Sequence, residues 1–235
     1  MCTLTYLLND NGYELFFNRD ELRTRQPAIA PAFNHQLNTI YPVDPDGKGT
    51  WIAAHQSGLS LALLNFYQAE QAVNNSNYLS RGQIILSLLE DPANVIGRLK
   101  KMDLQKYMAF KLCIFASDLS KTNNKMRSLQ WDGKVLSEVA ESQPIISAGA
   151  EFALISKIRK ARFRQIISAE KPRREQFLTY HNLQEVNPHL SVKMERPEAR
   201  TVSFSHLVVG EEIEFHYADY IAKQEFCCRM ARTFS

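Results

Sequence analysis

Apolar and polar positions alternate at the start of the chain, with Leu4 and Tyr6 set against Thr3 and Thr5. A period of two predicts a β-strand. Asn9, Asp10, Asn11 and Gly12 then supply turn residues that tolerate positive φ, and an apolar run resumes from Tyr13 to Phe17, so the opening predicts a hairpin. Gln26 to Pro45 carries Pro27, Pro31, Pro42 and Pro45 with little periodicity, which predicts a long surface loop. Thr50 to His55 and Leu59 to Asn65, joined through Gln56, Ser57 and Gly58, predict a second hairpin.

From Ser80 the period changes. Ile84, Leu88 and Leu89 fall at helical spacing, and Asp91 and Pro92 open a second helical stretch with Val95, Ile96, Leu99 and Met102. Lys111 to Ala116 and Met126 to Trp131 predict strands, and Asp132-Gly133 turns the latter into Lys134 to Val139. Phe152, Ile155, Phe163, Ile166 and Ile167 share one face of a further helix. Thr201 to Val209 and Ile213 to Tyr217 are strands that meet at Gly210-Glu211. Strands and helices come in segregated runs, which predicts an α+β fold of antiparallel sheets packed with helices.

Composition narrows the class. The chain has 235 residues, 45% hydrophobic and 23% charged, which predicts one globular domain over 1–235. A net charge of +3 gives no reason to expect a nucleic-acid partner. No run approaches the ~18 apolar residues of a membrane helix. The N-terminal residues lack the basic and apolar regions of a signal peptide, so a cytoplasmic protein is expected. Cys2, Cys113, Cys227 and Cys228 form no C-x-x-C pair, and the His residues lack metal-site spacing, so neither metal nor cofactor is indicated. Cys113, Cys227 and Cys228 are expected to be small buried hydrophobes.

Candidate chemistry sits in the first hairpin. If Leu8 and Tyr13 close it, the register carries Arg19 directly across from Cys2, with Cα atoms about 4.5 to 5.5 Å apart, and Asp20 across from Met1. A cation beside a thiol favours the thiolate and can lower its pKa from about 8.5. Removal of Met1, favoured by a small following residue, would leave Cys2 with an α-amino group of reference pKa about 7.7 to 8.0. That amine can take the thiol proton and return it to a leaving amine, so one residue serves as nucleophile and base. Asp20 would orient the amine. The competing reading is that Cys2 is a strand residue and that Asn18-Arg19-Asp20-Glu21 is a polar strand end.

MCTLTYL, GYELFFNRDELRTRQPA, DPDGKGTWIAAHQSGLSLALLN and ERPEARTVSFSHLVV together resemble the NRDE family, which is related to the transport and Golgi organisation protein 2 group. The resemblance implies an N-terminal nucleophile (Ntn) hydrolase-like fold of four layers, αββα, similar to penicillin V acylase and bile salt hydrolase. It implies Cys2 as nucleophile, Arg19 and Asp20 as its neighbours, and Asn65 as an oxyanion donor. Asn18 and Glu21 are read as hydrogen-bonders that orient the hairpin, and Trp51 as packing. The sequence departs from those enzymes in the later half, where ISAGAEFALISK around Ser147 offers no second oxyanion Asn, and the role of Arg200 stays open. The activity implied is hydrolysis of a non-peptide C–N amide bond in a small molecule. The alternative is a non-catalytic carrier that holds haem or a lipid or acyl compound in the same cavity. The basic run Lys157, Arg159, Lys160, Arg162 and Arg164, continued at Lys171, Arg173 and Arg174, is read as a solvated face, with an anion site as its functional alternative.

Overall fold

The computed structural model describes residues 2–70 and 78–234. The first hairpin is β1 (Cys2–Asn9) and β2 (Gly12–Leu22). Its register pairs Cys2 with Arg19 and Leu8 with Tyr13, as the turn chemistry predicts; the expected position of Asp20 across from Met1 lies outside the described residues. Gly12 has φ of 152°, and a Cβ there would stand 1.9 Å from the Val209 carbonyl oxygen, so turn and neighbouring strand both demand glycine.

The next elements correct the sequence reading. Within the expected loop lie β3 (Ile29–Asn34) and β4 (Thr39–Val43). Prolines hid them, yet Pro31 falls where the β3–β4 register shifts between Ile29 and Ala32, and Pro42 lies beyond the β4–β5 pairs. Edges and bulges are where a strand admits proline. The order continues with β5 (Ile52–His55), β6 (Ser60–Asn65), α1 (Gly82–Leu89), α2 (Val95–Lys101), β7 (Phe110–Phe115), β8 (Arg127–Trp131) and β9 (Leu136–Val139). It closes with β10 (Ile145–Ser147), α3 (Phe152–Ile166), α4 (Arg174–His181), β11 (Ala199–Val209), β12 (Glu212–Asp219) and β13 (Gln224–Ala231).

Two antiparallel sheets result, ordered β10-β1-β2-β11-β12-β13 and β3-β4-β5-β6-β7-β8-β9. Strand alternation sorts the apolar residues into layers. Leu4, Leu15 and Phe17 of the first sheet meet Ala62, Leu64 and Phe115 of the second between the sheets. Leu61, Leu63 and Leu112 turn the other way and pack under Ile84, Leu88 and Leu99 of α1 and α2. Leu7, Phe16 and Phe204 pack on the opposite outer face under Phe163, Phe177 and Tyr180 of α3 and α4. Each fully buried Leu or Phe contributes about 1.5–3 kcal/mol. The arrangement is the expected αββα sandwich.

Candidate functional site

Strand alternation divides Asn18-Arg19-Asp20-Glu21 between two faces of the first sheet. Asn18 and Asp20 point to the helical layer, Arg19 and Glu21 to the space between the sheets. Asn18 Nδ2 donates to the carbonyls of His181 at 2.8 Å and Val192 at 3.0 Å, so it ties α4 and the following loop to β2 rather than bracing the hairpin itself. Asp20 Oδ1 accepts from Thr201 Oγ1 at 2.6 Å, and its Oδ2 lies 3.7 Å from Arg159 Nη1. Burial pushes the Asp20 carboxyl up, and the Arg159 charge is the strongest influence opposing it.

On the inner face a cavity of about 440 Å³ opens beside Cys2. Arg19, Asp20 and Asn65 line it with Cys2, so the structure brings all four sequence-derived candidates to one place. Half-buried Cys2 stands between Arg19 on β2 and Ser147 on β10. Arg19 Nη2 reaches Asp44 at 3.2 Å and Glu21 at 3.4 Å, and its guanidinium lies 4.3 Å from the centre of the Trp51 ring. Trp51 is thus both packing and a platform. The expected lowering of the thiol pKa by Arg19 gives way to a different balance: burial pushes the Cys2 thiol up and the Asp20 and Glu21 carboxylates push the same way, while a hydrogen bond from the Asp20 backbone N–H opposes them. Arg19 is engaged by two carboxylates, Glu21 and Asp44, which offset its charge.

Asn65 ends β6 at the cavity. Its Nδ2 donates to the Tyr67 hydroxyl at 2.8 Å, and its carbonyl accepts from Ser147 Oγ at 2.6 Å. An amide nitrogen carries two N–H groups, so one remains for a ligand. Asn65 is the one asparagine among the described cavity residues; the position across from Cys2 on β10 carries Ser147 instead.

Several residues settle elsewhere. Arg200 does not line the Cys2 cavity; with Lys193, Asp219 and Glu225 it borders a separate depression of about 470 Å³. Arg159, read as part of a solvated charge run, is fully buried, because it continues the inward stripe of Ile155, Phe163 and Ile166 on α3. Cys113 is buried as expected, Cys228 is half-buried, and Cys227 is exposed on β13. Glu214, His216 and Cys227 bring ligand atoms within 4.8 Å of one another. The Glu214 carboxylate there already accepts from Arg229 at 3.2 Å.

Arg81, Tyr67, Tyr78 and Ser80 also line the cavity, and sequence reasoning missed all four. The approach of Ser80 and Arg81 to the cavity is accompanied by a close contact between two glycines. A Cβ on Gly49 would come within 2.3 Å of the Gly82 backbone, and one on Gly82 within 2.9 Å of the Thr50 nitrogen. The Gly49 loop can therefore lie against the start of α1, with the Thr50 N–H donating to the Gly82 carbonyl at 3.1 Å. Gly49 within DPDGKGTW carries the signal, but its partner is distant in sequence.

The layers and the sheet order define an Ntn hydrolase-like fold. Two solved structures share it. A C2A mutant of conjugated bile acid hydrolase from Clostridium perfringens aligns with 100% of this chain and 97% of its own, at 12% identity and a TM-score of 0.50. The Caenorhabditis elegans ortholog of N-acylethanolamine-hydrolyzing acid amidase aligns with 89% of this chain and 93% of its own, at 10% identity and a TM-score of 0.57. The sequence matches the Transport and Golgi organisation 2 family over residues 1–218, and the chain belongs to that family. No curated protein matches it.

Proposed function

We propose that the chain is an N-terminal cysteine amidohydrolase that cleaves a non-peptide C–N bond in a small amide. The observation that carries this reading is the convergence of Cys2, Arg19, Asp20 and Asn65 on one cavity. With Met1 removed, the Cys2 amine takes the thiol proton as sulfur attacks the amide carbonyl. The raised thiol pKa is consistent with proton transfer at the moment of attack rather than a standing thiolate. The remaining Asn65 N–H stabilises the oxyanion. Collapse breaks the C–N bond, and the Cys2 ammonium gives its proton to the leaving amine. Water then hydrolyses the thioester by the same base, releasing the acid and restoring the thiol. Asp20 holds the amine, and Arg159 and Thr201 hold Asp20.

The carrier reading fits this cavity less well. Arg19, Arg25, Glu21, Asp44 and Asp46 all reach its wall, and so charged a lining suits a small polar ligand better than haem or an acyl chain. The test compares the native chain with one that carries an uncleavable extension before Cys2, each incubated with a panel of small amides. Turnover only by the chain that starts at Cys2 is expected. Equal turnover, or none by either folded form across the panel, contradicts the proposal.

A further inference from the structure

The cations of the cavity are not alike. Arg19 and Arg25 are both engaged, with Arg25 Nη2 at 2.6 Å from Asp44. Arg81 has no carboxylate within ion-pair distance among the described residues. Among the described residues its side chain makes one bond, from Nη1 to the Ala109 carbonyl at 3.0 Å. The undescribed stretch 71–77 contains no acidic residue that could complete a pair. Arg81 lines the cavity. Burial lowers its pKa, while the Tyr67, Cys2 and Glu21 side chains act in the opposite direction. A guanidinium stays charged under all ordinary conditions, so Arg81 is a half-buried cation with no fixed counter-ion among the described residues.

We infer that Arg81 binds a carboxylate carried by the ligand. A planar guanidinium with a free edge matches a carboxylate in a two-point bond. A monoanion suits the place better than a phosphate dianion, because Glu21, Asp44 and Asp46 share the cavity and would repel the second charge. The anion site itself depends only on this geometry. It rests on the proposed function for one further step, that the carboxylate belongs to an amide whose carbonyl meets Cys2. The substrate class is then an N-acyl amino acid or a similar carboxylate-bearing amide.

Iodoacetate and iodoacetamide separate the two claims, since both alkylate a thiol and only one is a carboxylate. Labelling of Cys2 by iodoacetate is expected to saturate with concentration. Its rate relative to iodoacetamide should exceed the ratio seen for free cysteine by about tenfold or more. Arg81→Gln should bring that ratio back to the free-cysteine value, and Arg81→Lys should keep part of the excess, with melting curves showing that both variants fold. An unsaturable iodoacetate reaction, or an Arg81→Gln ratio equal to wild type, overturns the inference while leaving Cys2 as a nucleophile. If Cys2 reacts with neither reagent, the nucleophile reading fails, and the anion site is tested by calorimetry with hexanoate. Binding lost in Arg81→Gln then supports the site; no binding to the wild type overturns it.

Discussion

Arg159 and Asp20 form a fully buried charge pair, Nη1 to Oδ2 at 3.7 Å, between α3 and the strand that carries Arg19. Arg159 Nη1 also donates to Thr3 Oγ1 at 2.5 Å, so one guanidinium touches both strands of the hairpin that places Cys2. Removing one partner of a buried pair leaves the other charge uncompensated, at a cost of about 3–5 kcal/mol. Arg159→Met is expected to lose stability on this scale in chemical denaturation. Adding Asp20→Asn should recover part of it, because the stranded carboxylate is then gone. A double variant no more stable than Arg159→Met would show that the loss comes from packing alone.

Acid should destabilise the fold in two stages. His181 is buried between Thr5 Oγ1 at 2.8 Å and Asn18 Oδ1 at 3.1 Å, and burial, with the Arg159 charge, lowers its pKa to about 3. The unfolded chain takes up that proton near pH 6.5 and the folded chain does not, so stability is present above 6.5 and is lost as pH falls toward 3. By pH 4.5 this amounts to roughly 2–3 kcal/mol. Burial raises the Glu14 pKa, but hydrogen bonds from His206, Arg174 and Asn9 outweigh it and hold the carboxyl at about 2, so its share is lost between about pH 4.5 and 2. Urea midpoints at pH 7 and 4.5 check this; His181→Gln should flatten the upper stage, and an unchanged slope would contradict the assignment.

Asn65 and Ser147 are predicted to affect different quantities. Asn65→Ala removes the proposed oxyanion donor and should slow acylation of Cys2 by p-nitrophenyl acetate about 10²–10³-fold in the folded protein. Ser147→Ala removes only the 2.6 Å bond to the Asn65 carbonyl, and should cost about 1 kcal/mol of stability with a smaller loss of rate. Stopped-flow acylation and thermal melts separate the two. An Asn65→Ala rate equal to wild type would remove Asn65 from the proposed machinery.

The hairpin register and the antiparallel sheets packed with helices are legible in the sequence because each rests on local patterns, whereas the four-layer αββα order is legible only through the family resemblance. Two alternating strands about a turn of Asn, Asp and Gly allow one pairing that buries Leu4 and Phe17. What stayed hidden has physical causes. The prolines of β3 and β4 mask strands that tolerate them at a register shift and beyond the last β4–β5 pair. β13 presents exposed Glu225, Phe226 and Cys227, so it carries no burial pattern to read. Arg159 is masked by its charged neighbours in the sequence, although it sits four residues from both Ile155 and Phe163, the spacing that turns it inward. Arg81 comes to the cavity where α1 starts against the Gly49 loop, a long-range contact of Gly49 with Gly82 that no local period encodes.

The central claim is that Cys2, as the first residue of the mature chain, is the nucleophile. Intact and peptide mass spectrometry of the natively started chain, acid-quenched after brief exposure to p-nitrophenyl acetate, tests it directly. The account predicts a chain without Met1 that carries one acetyl group on Cys2, decaying with time, and no such adduct in Cys2→Ala. Met1 retained in the active protein, or an adduct found on Cys113 or Cys227 with Cys2 unmodified, would contradict it.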